Sequence, residues 1–265
     1  MQSLPLTNWL NAAKEAARRG ADMLEQWRAR FQVQEKGRAD LVTEADHASQ
    51  QVVHDYLSRR FPDHRFIGEE GDAAKTAAAD GTPVWIVDPL DGTTNYVHDC
   101  PWYCVSIGLM AAGELVVGVV YDPRQREMFI AAKGMGAWLG ERRLNVSNTD
   151  RLERALLATG FAPDLTSHER TLDWWRYFSF RTQSLRRTGS TALNLAYVAC
   201  GRFDGYWAFD NHAWDVAAGF VLIQEAGGTI TRCNGAPLDP FQPDSLATNG
   251  RIHSAMLDSL LQDPR

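Results

Sequence analysis

The run Asp88-Pro89-Leu90-Asp91-Gly92-Thr93-Thr94-Asn95 sets two carboxylates three residues apart beside a proline, a glycine and two hydroxyls. Paired carboxylates can hold a divalent cation. A Gly-Thr-Thr sequence can open a short helix whose first N–H groups have no internal partner, and such an end accepts an anion. One stretch thus offers cation ligands and a phosphate cradle together. Alone, an Asp-x-x-Asp-Gly run is more often a strand-to-turn connection with a cap. Further acids shift that balance: Asp46, the pair Glu69-Glu70 after the strand-like Phe66-Ile67, and Asp215 in Trp214-Asp215-Val216-Ala217-Ala218-Gly219. Each has a plain reading by itself, a solvated surface pair or a first-turn acid favoured by the helix dipole. Gathered in one cleft they are costly unless cations neutralise them. Hard oxygen ligands without a convergent His or Cys pattern select Mg²⁺ or Mn²⁺ over Zn²⁺. Glu69, Asp88, Asp91 and Asp215 total −4, so two Mg²⁺ give zero and a third gives +2. That charge suits a phosphate dianion, and paired ions about 3.5–4 Å apart clamp both oxygens of a phosphoryl transfer.

These acids need elements to carry them. Residues 6–27 place Leu6, Trp9, Leu10, Ala13, Ala17, Leu24 and Trp27 at helical spacing. A second helix is expected from Thr43, which with Asp46 resembles a capping box, and Pro62 lies beyond its end. Residues 71–82 read as an exposed loop. Val84–Val87 reads as a short buried strand ending before Asp88, and 103–110, 115–121 and 127–132 as an antiparallel meander. Gly134, Gly136 and Gly140 are expected to break the regularity that follows. Beyond residue 150 strands at 156–159, 184–187, 204–208 and 229–231 alternate with helices at 167–179, 190–200 and 214–226, which argues for an α/β layer. The expected class is α/β, an α+β half over residues 1–148 followed by an α/β half over 149–265.

The 265 residues are 45% hydrophobic, which excludes a disordered chain. With 27 basic against 33 acidic side chains, net −6, an electrostatic nucleic-acid or membrane-surface binder is disfavoured. Cys100, Cys104, Cys200 and Cys233 lack Cys-x-x-Cys spacing and read as plain thiols of a reducing compartment. No apolar run approaches a membrane span, and the N-terminal stretch lacks a signal-peptide pattern, so the expected address is the cytoplasm.

In order along the chain, Ala39-Asp40-Leu41-Val42-Thr43 with Asp46, Phe66-Ile67-Gly68-Glu69-Glu70, Trp85 to Asn95, Gly189-Ser190-Thr191-Ala192 and Trp214 to Gly219 resemble the inositol monophosphatase family over roughly residues 6–260. The resemblance implies a layered αβαβα sandwich, hydrolysis of phosphate monoesters with two or three Mg²⁺ (Mn²⁺ in their stead), inhibition by Li⁺ and a homodimer. Carried onto this sequence, it implies Glu69, Asp88 and the Leu90 carbonyl at a first metal, Asp88, Asp91 and Asp215 at a second, and Glu69 at a weaker third. It makes Thr93, oriented by Asp46, the residue that positions the attacking water. The Gly92 and Thr93 N–H groups receive phosphate, and Gly189, Ser190 and Thr191 meet the sugar or inositol ring, with Asp91 and Asp215 at the substrate as well. Lys36 matches a family lysine near the metals. Seven residues before Asp215, where inositol-preferring relatives place a Glu that binds ring hydroxyls, this chain has Ala208, with Asp210 or Asn211 as possible substitutes nearby. The expected partner is therefore a small phosphorylated polyol or sugar, inositol monophosphate first. Fructose 1,6-bisphosphate, histidinol phosphate, a nucleotide 3′-phosphate and NADP(H) are the alternatives by the same chemistry, and a regulatory or binding protein with incidental phosphatase activity is the alternative of another class.

Overall fold

The computed structural model describes residues 4–28, 30–37, 40–71, 80–161, 165–262 and 264, and of 35–37, 40, 165 and 166 the backbone alone. Most of the expected 71–82 loop, Ala39 and the Lys36 side chain lie outside the described residues.

Helix α1 (Leu6–Trp27) buries the face that its spacing marked out, from Trp9 to Leu24. A hairpin of β1 (Val33–Gly37) and β2 (Asp40–Thr43) leads into α2 (Glu44–Arg60). The Thr43 hydroxyl and the Asp46 carboxylate close a reciprocal capping box at the start of α2. β3 (Arg65–Gly68) pairs in parallel with β4 (Val84–Asp91), and α3 (Thr93–Val97) follows. β5 (Cys104–Ala111), β6 (Glu114–Asp122) and β7 (Glu127–Ala132) form the expected meander. The glycines beyond it do not end the sheet. All three have positive φ and serve as turns around β8 (Ala137–Leu139) and β9 (Arg142–Arg143), which complete the seven-stranded order β3-β4-β5-β6-β7-β8-β9.

β10 (Leu156–Thr159), α4 (Leu165–Ser179), β11 (Ser184–Arg186), α5 (Thr191–Ala199) and β12 (Gly205–Ala208) give parallel pairs β10–β11 and β10–β12. α6 (Ala213–Glu225) then leads to β13 (Thr229–Thr231), β14 (Ser245–Thr248) and α7 (His253–Leu260). The five-stranded order is β11-β10-β12-β14-β13, with β14 antiparallel to both neighbours.

Five layers result. α1 and α2 cover one face of the seven-stranded sheet with a core of Leu24, Val53, Leu57, Trp85 and Val105. α5 and α6 fill the space between the sheets, and Phe129, Leu195, Val221 and Tyr206 belong to that core. Trp174 of α4 and Met256 of α7 pack with Leu157 and Trp207 on the outer face of the second sheet. This is the αβαβα sandwich expected from the resemblance. α6 approaches β5 and β6 at the cross-strand pair Gly108 and Gly118. A Cβ at Gly118 would lie 2.3 Å from the Ala218 carbonyl oxygen, so only glycine lets the helix backbone come this near. No helix among the described residues is long and apolar enough to cross a membrane.

Candidate active site

The strand expected to stop at Val87 continues to Asp91. Asp88 pairs with Ser106 and Asp91 with Cys104, so three steps along β4 match two along β5. In an unbroken strand, residues three apart face opposite sides. The extra residue of this β-bulge cancels that alternation and turns both carboxylates to the face covered by α5 and α6. Pro89 has no N–H to give a ladder, and a bulge is where an interior strand tolerates it. The Leu90 N–H instead donates to Asp88 Oδ1 (3.0 Å), and the Pro89 carbonyl accepts from Ser49 Oγ (3.0 Å).

Glu69 arrives from the neighbouring strand. The parallel register ends with Gly68 beside Val87, and the Glu69 N–H donates to the Val87 carbonyl (3.2 Å), which brings Glu69 beside Asp88. The Glu69-Glu70 corner is clamped by Gln50 of α2. Gln50 Oε1 accepts from the Glu70 N–H (3.0 Å), and Gln50 Nε2 donates to the Glu70 carbonyl. Gln50 follows Asp46 by one helical turn, and that spacing is the signal by which the sequence could have revealed it.

Asp215 enters from the second half of the chain, in the first turn of α6, where its Oδ2 accepts from the His212 N–H (2.7 Å). His212 stacks on Trp214 at 4.7 Å, with Nδ1 3.7 Å from Asp215 Oδ2. Asp91 reaches across to α5. Its Oδ2 accepts from Ser190 Oγ (2.5 Å) and the Ala192 N–H (2.7 Å), and its Oδ1 from the Thr191 N–H (3.1 Å). Ser190 is 1% exposed and its oxygen also accepts from the Leu193 N–H, so its side chain serves Asp91 and the α5 cap. Cys104, read from the sequence as a plain thiol, lies against this corner with Sγ 3.7 Å from Asp91 Oδ2, and burial pushes its thiol well above the usual range.

Burial is the chief cause that lifts the Asp88 carboxyl well above its ordinary value, and Glu69, Asp91 and Asp215 add to it in that order. Asp91 is raised too, again by burial first, against the pull of the Ser190 hydroxyl. The four acids therefore share one pit and repel one another in it. Their oxygens and the Leu90 carbonyl make a hard donor set, which fits Mg²⁺ or Mn²⁺ in chemistry. Among the described residues no three acidic, His or Cys groups converge as a ready-made metal cage. Asp88, Asp91 and Asp215 each turn an oxygen to a main-chain N–H instead.

Beside the pit, Thr93 Oγ1 lies 3.1 Å from Asp46 Oδ1 and 3.1 Å from the Leu90 carbonyl oxygen. The other Asp46 oxygen accepts from Thr43 Oγ1 (2.7 Å) and the Thr43 N–H (2.8 Å), so the α2 cap fixes the carboxylate that Thr93 meets. Gly92 has φ +102°, and a Cβ there would lie 2.7 Å from the Trp102 carbonyl oxygen. Asn95 Nδ2 donates to the Thr188 carbonyl (2.8 Å) and ties α3 to the segment entering α5, where Gly189 takes φ +87°. Thr191 Oγ1 is 3.2 Å from Tyr206 Oη. Ala208 closes β12, 3% exposed. Of its two suggested substitutes, Asn211 is spent on Tyr206 Oη (3.1 Å) and Ser245 Oγ (2.7 Å), and Asp210 is half-buried.

Comparison with known proteins agrees in sequence and in shape. Residues 6–263 match the inositol monophosphatase family. An inositol-1-monophosphatase of Synechocystis sp. is 44% identical over 266 residues, 98% of this chain and 91% of the relative. The Nus factor SuhB of Pseudomonas aeruginosa is 38% identical, covering 95% of each chain. The structure of an inositol monophosphatase from Anabaena (Nostoc) sp. superposes with a TM-score of 0.87 at 40% identity, covering 98% of each chain. The chain thus belongs to the inositol monophosphatase family and is a phosphoric monoester hydrolase.

Proposed function

We propose that this chain hydrolyses the phosphate monoester of a small polyol or sugar, inositol monophosphate foremost, with two or three Mg²⁺ in the acidic pit and Mn²⁺ as a substitute. Bound there, such ions supply charge neutralisation and make a water more acidic than bulk water, so no His base is needed. Glu69, Asp88 and the Leu90 carbonyl would hold one ion, Asp88, Asp91 and Asp215 another, and Glu69 a weaker third. Asp46 orients the Thr93 hydroxyl toward the attacking water. The Gly92 and Thr93 N–H groups bind phosphate. Gly189, Thr191 and Asp215 border the alcohol, and Ser190 fixes Asp91 at that border.

The observation that supports this reading is the burial of Asp88 among Glu69, Asp91 and Asp215. Three acids around a buried fourth form a stable charged set only with cations between them. Phosphate release from inositol 1-phosphate should vanish in excess EDTA and return with Mg²⁺. Full turnover in the chelator would overturn the metal mechanism. The place of Ala208 keeps fructose 1,6-bisphosphate, histidinol phosphate, a nucleotide 3′-phosphate and NADP(H) as substrates to assay in parallel. A regulatory role is favoured by one finding, the relative named a Nus factor. A cellular phenotype that survives Asp91→Asn, with phosphate release lost and folding intact, would establish that role over the enzymatic one.

A further inference from the structure

The alcohol side of the site is built at the carboxyl ends of two adjacent parallel strands. Thr159 of β10 pairs with Trp207 of β12, so Gly160-Phe161 leaves the sheet beside Ala208, the last residue of β12, and Phe209. This edge also borders the start of α5, since a Cβ at Gly160 would lie 3.3 Å from Tyr206 Oη and 3.6 Å from Thr191 Oγ1. Ligands in open α/β sheets bind outside such strand ends. Each exit carries an aromatic ring topped by a guanidinium. Arg187 lies over Phe161 with 4.7 Å to the ring centroid, and Arg170, in the early turns of α4, lies over Phe209 at 3.8 Å. Arg187 stands three residues before Ser190 on the segment that Asn95 pins to α3.

Both arginines are exposed residues, and among the described residues neither makes an ion pair with a carboxylate. Other arginines do pair, as Arg202 does with Glu127 and Arg232 with Asp244. The position where a ring-hydroxyl acceptor is expected holds Ala208 instead. A wall with two cations that have no carboxylate partner among the described residues, on aromatic shelves, and with Ala208 in place of a Glu, suits an anion better than a neutral polyol. The planar fork of an arginine matches phosphate oxygens in particular, and stacking holds the fork in place.

We propose that Arg170 and Arg187 form a second anion-binding position on the alcohol side, so that the preferred substrate is a small phosphate ester whose alcohol carries another phosphate. This rests on the phosphatase reading of the acidic pit.

The test compares kcat/KM in Mg²⁺ for two matched pairs, fructose 1,6-bisphosphate against fructose 1-phosphate and inositol 1,4-bisphosphate against inositol 1-phosphate. An advantage of about tenfold or more for the bisphosphate is expected in at least one pair, carried by KM. Arg187→Gln and Arg170→Gln should each cut that ratio about fivefold or more, and Arg187→Lys should restore part of it. Arg181→Gln is the control. Arg181 lies over Tyr177 at 3.8 Å, but it stands two residues before Gln183, whose N–H donates to the Ala155 carbonyl at the opposite end of β10. If inositol 1-phosphate is hydrolysed and neither bisphosphate has an advantage, the second position is refuted and the phosphatase reading stands. If Arg181→Gln lowers the ratio as far as the other two, the position is refuted as well. If no monoester is hydrolysed, both readings fall.

Discussion

Asp88 illustrates a conflict between folding and chemistry within one side chain. Its charge is disfavoured by burial and by three neighbouring acids. Asp88→Asn removes the charge, keeps an oxygen for the Leu90 N–H and offers Glu69 a donor. Without metal the variant should therefore be more stable than the parent by about 1–2 kcal/mol, read as a higher urea midpoint in EDTA, while phosphate release falls by orders of magnitude. Asp122, on β6 next to the Cys104 end of β5 and not one of the four acids, makes a second pH probe. Its Oδ1 accepts from the Arg124 and Gln125 N–H groups, its Oδ2 is buried without a hydrogen bond, and burial pushes its carboxyl up to about 6 from 3.8. The folded state thus binds this proton more tightly than the unfolded one. The resulting stabilisation is full below the unfolded value and is lost as pH rises through about 6. Asp122→Asn keeps the Oδ1 acceptor and has no such proton. Urea unfolding should show the variant gaining about 1–3 kcal/mol on the parent between about pH 4 and about pH 7.

The elements carrying these residues differ in how far their sequences disclose them. α1 and the start of α2 could be read directly, because helical spacing and a capping box are local patterns. The bulge in β4 could not. Pro89 looks like a strand stop, and only the partner strand reveals that pairing resumes at Asp91. β8 and β9 are too short for any periodicity, and β14 lacks alternation, so the sequence does not disclose the last two strands of the first sheet or this interior strand of the second. The acids themselves were legible as residue types within motifs. Their hydrogen bonds were not, since the bond from Ser190 to Asp91 spans 99 positions. Nor does the sequence tell that Gly108 and Gly118 are partners across two strands beneath α6. Gly118→Val would drive a side chain into the Ala218 carbonyl. The variant should lose about 3 kcal/mol in urea unfolding, and because α6 carries Asp215, its folded fraction should also turn over substrate more slowly.

The seven-stranded sheet draws on residues 65–143 and the five-stranded sheet on 156–248, with α6 packed against both. We propose a division of the chain at 148/149 on that order. The homodimer implied by the resemblance is likewise a proposal, and exposed Trp102 (43%) and Phe180 (81%) are apolar surface that such a contact could cover. Light scattering should give about twice the 29.6 kDa chain mass, and a monomer at micromolar concentration would count against it.

The bulge and the three acids Glu69, Asp88 and Asp91 belong to the first sheet and its margin, whereas Gly160, Phe161, Ala208 and Phe209 hang from the tips of the second. On the reading proposed above, bond cleavage draws on first-sheet acids joined by Asp215 from α6, whereas the choice of customer is set by strand tips of the second sheet. A descendant could trade one alcohol for another by editing a few strand tips, while the hydrolytic engine stays as it was.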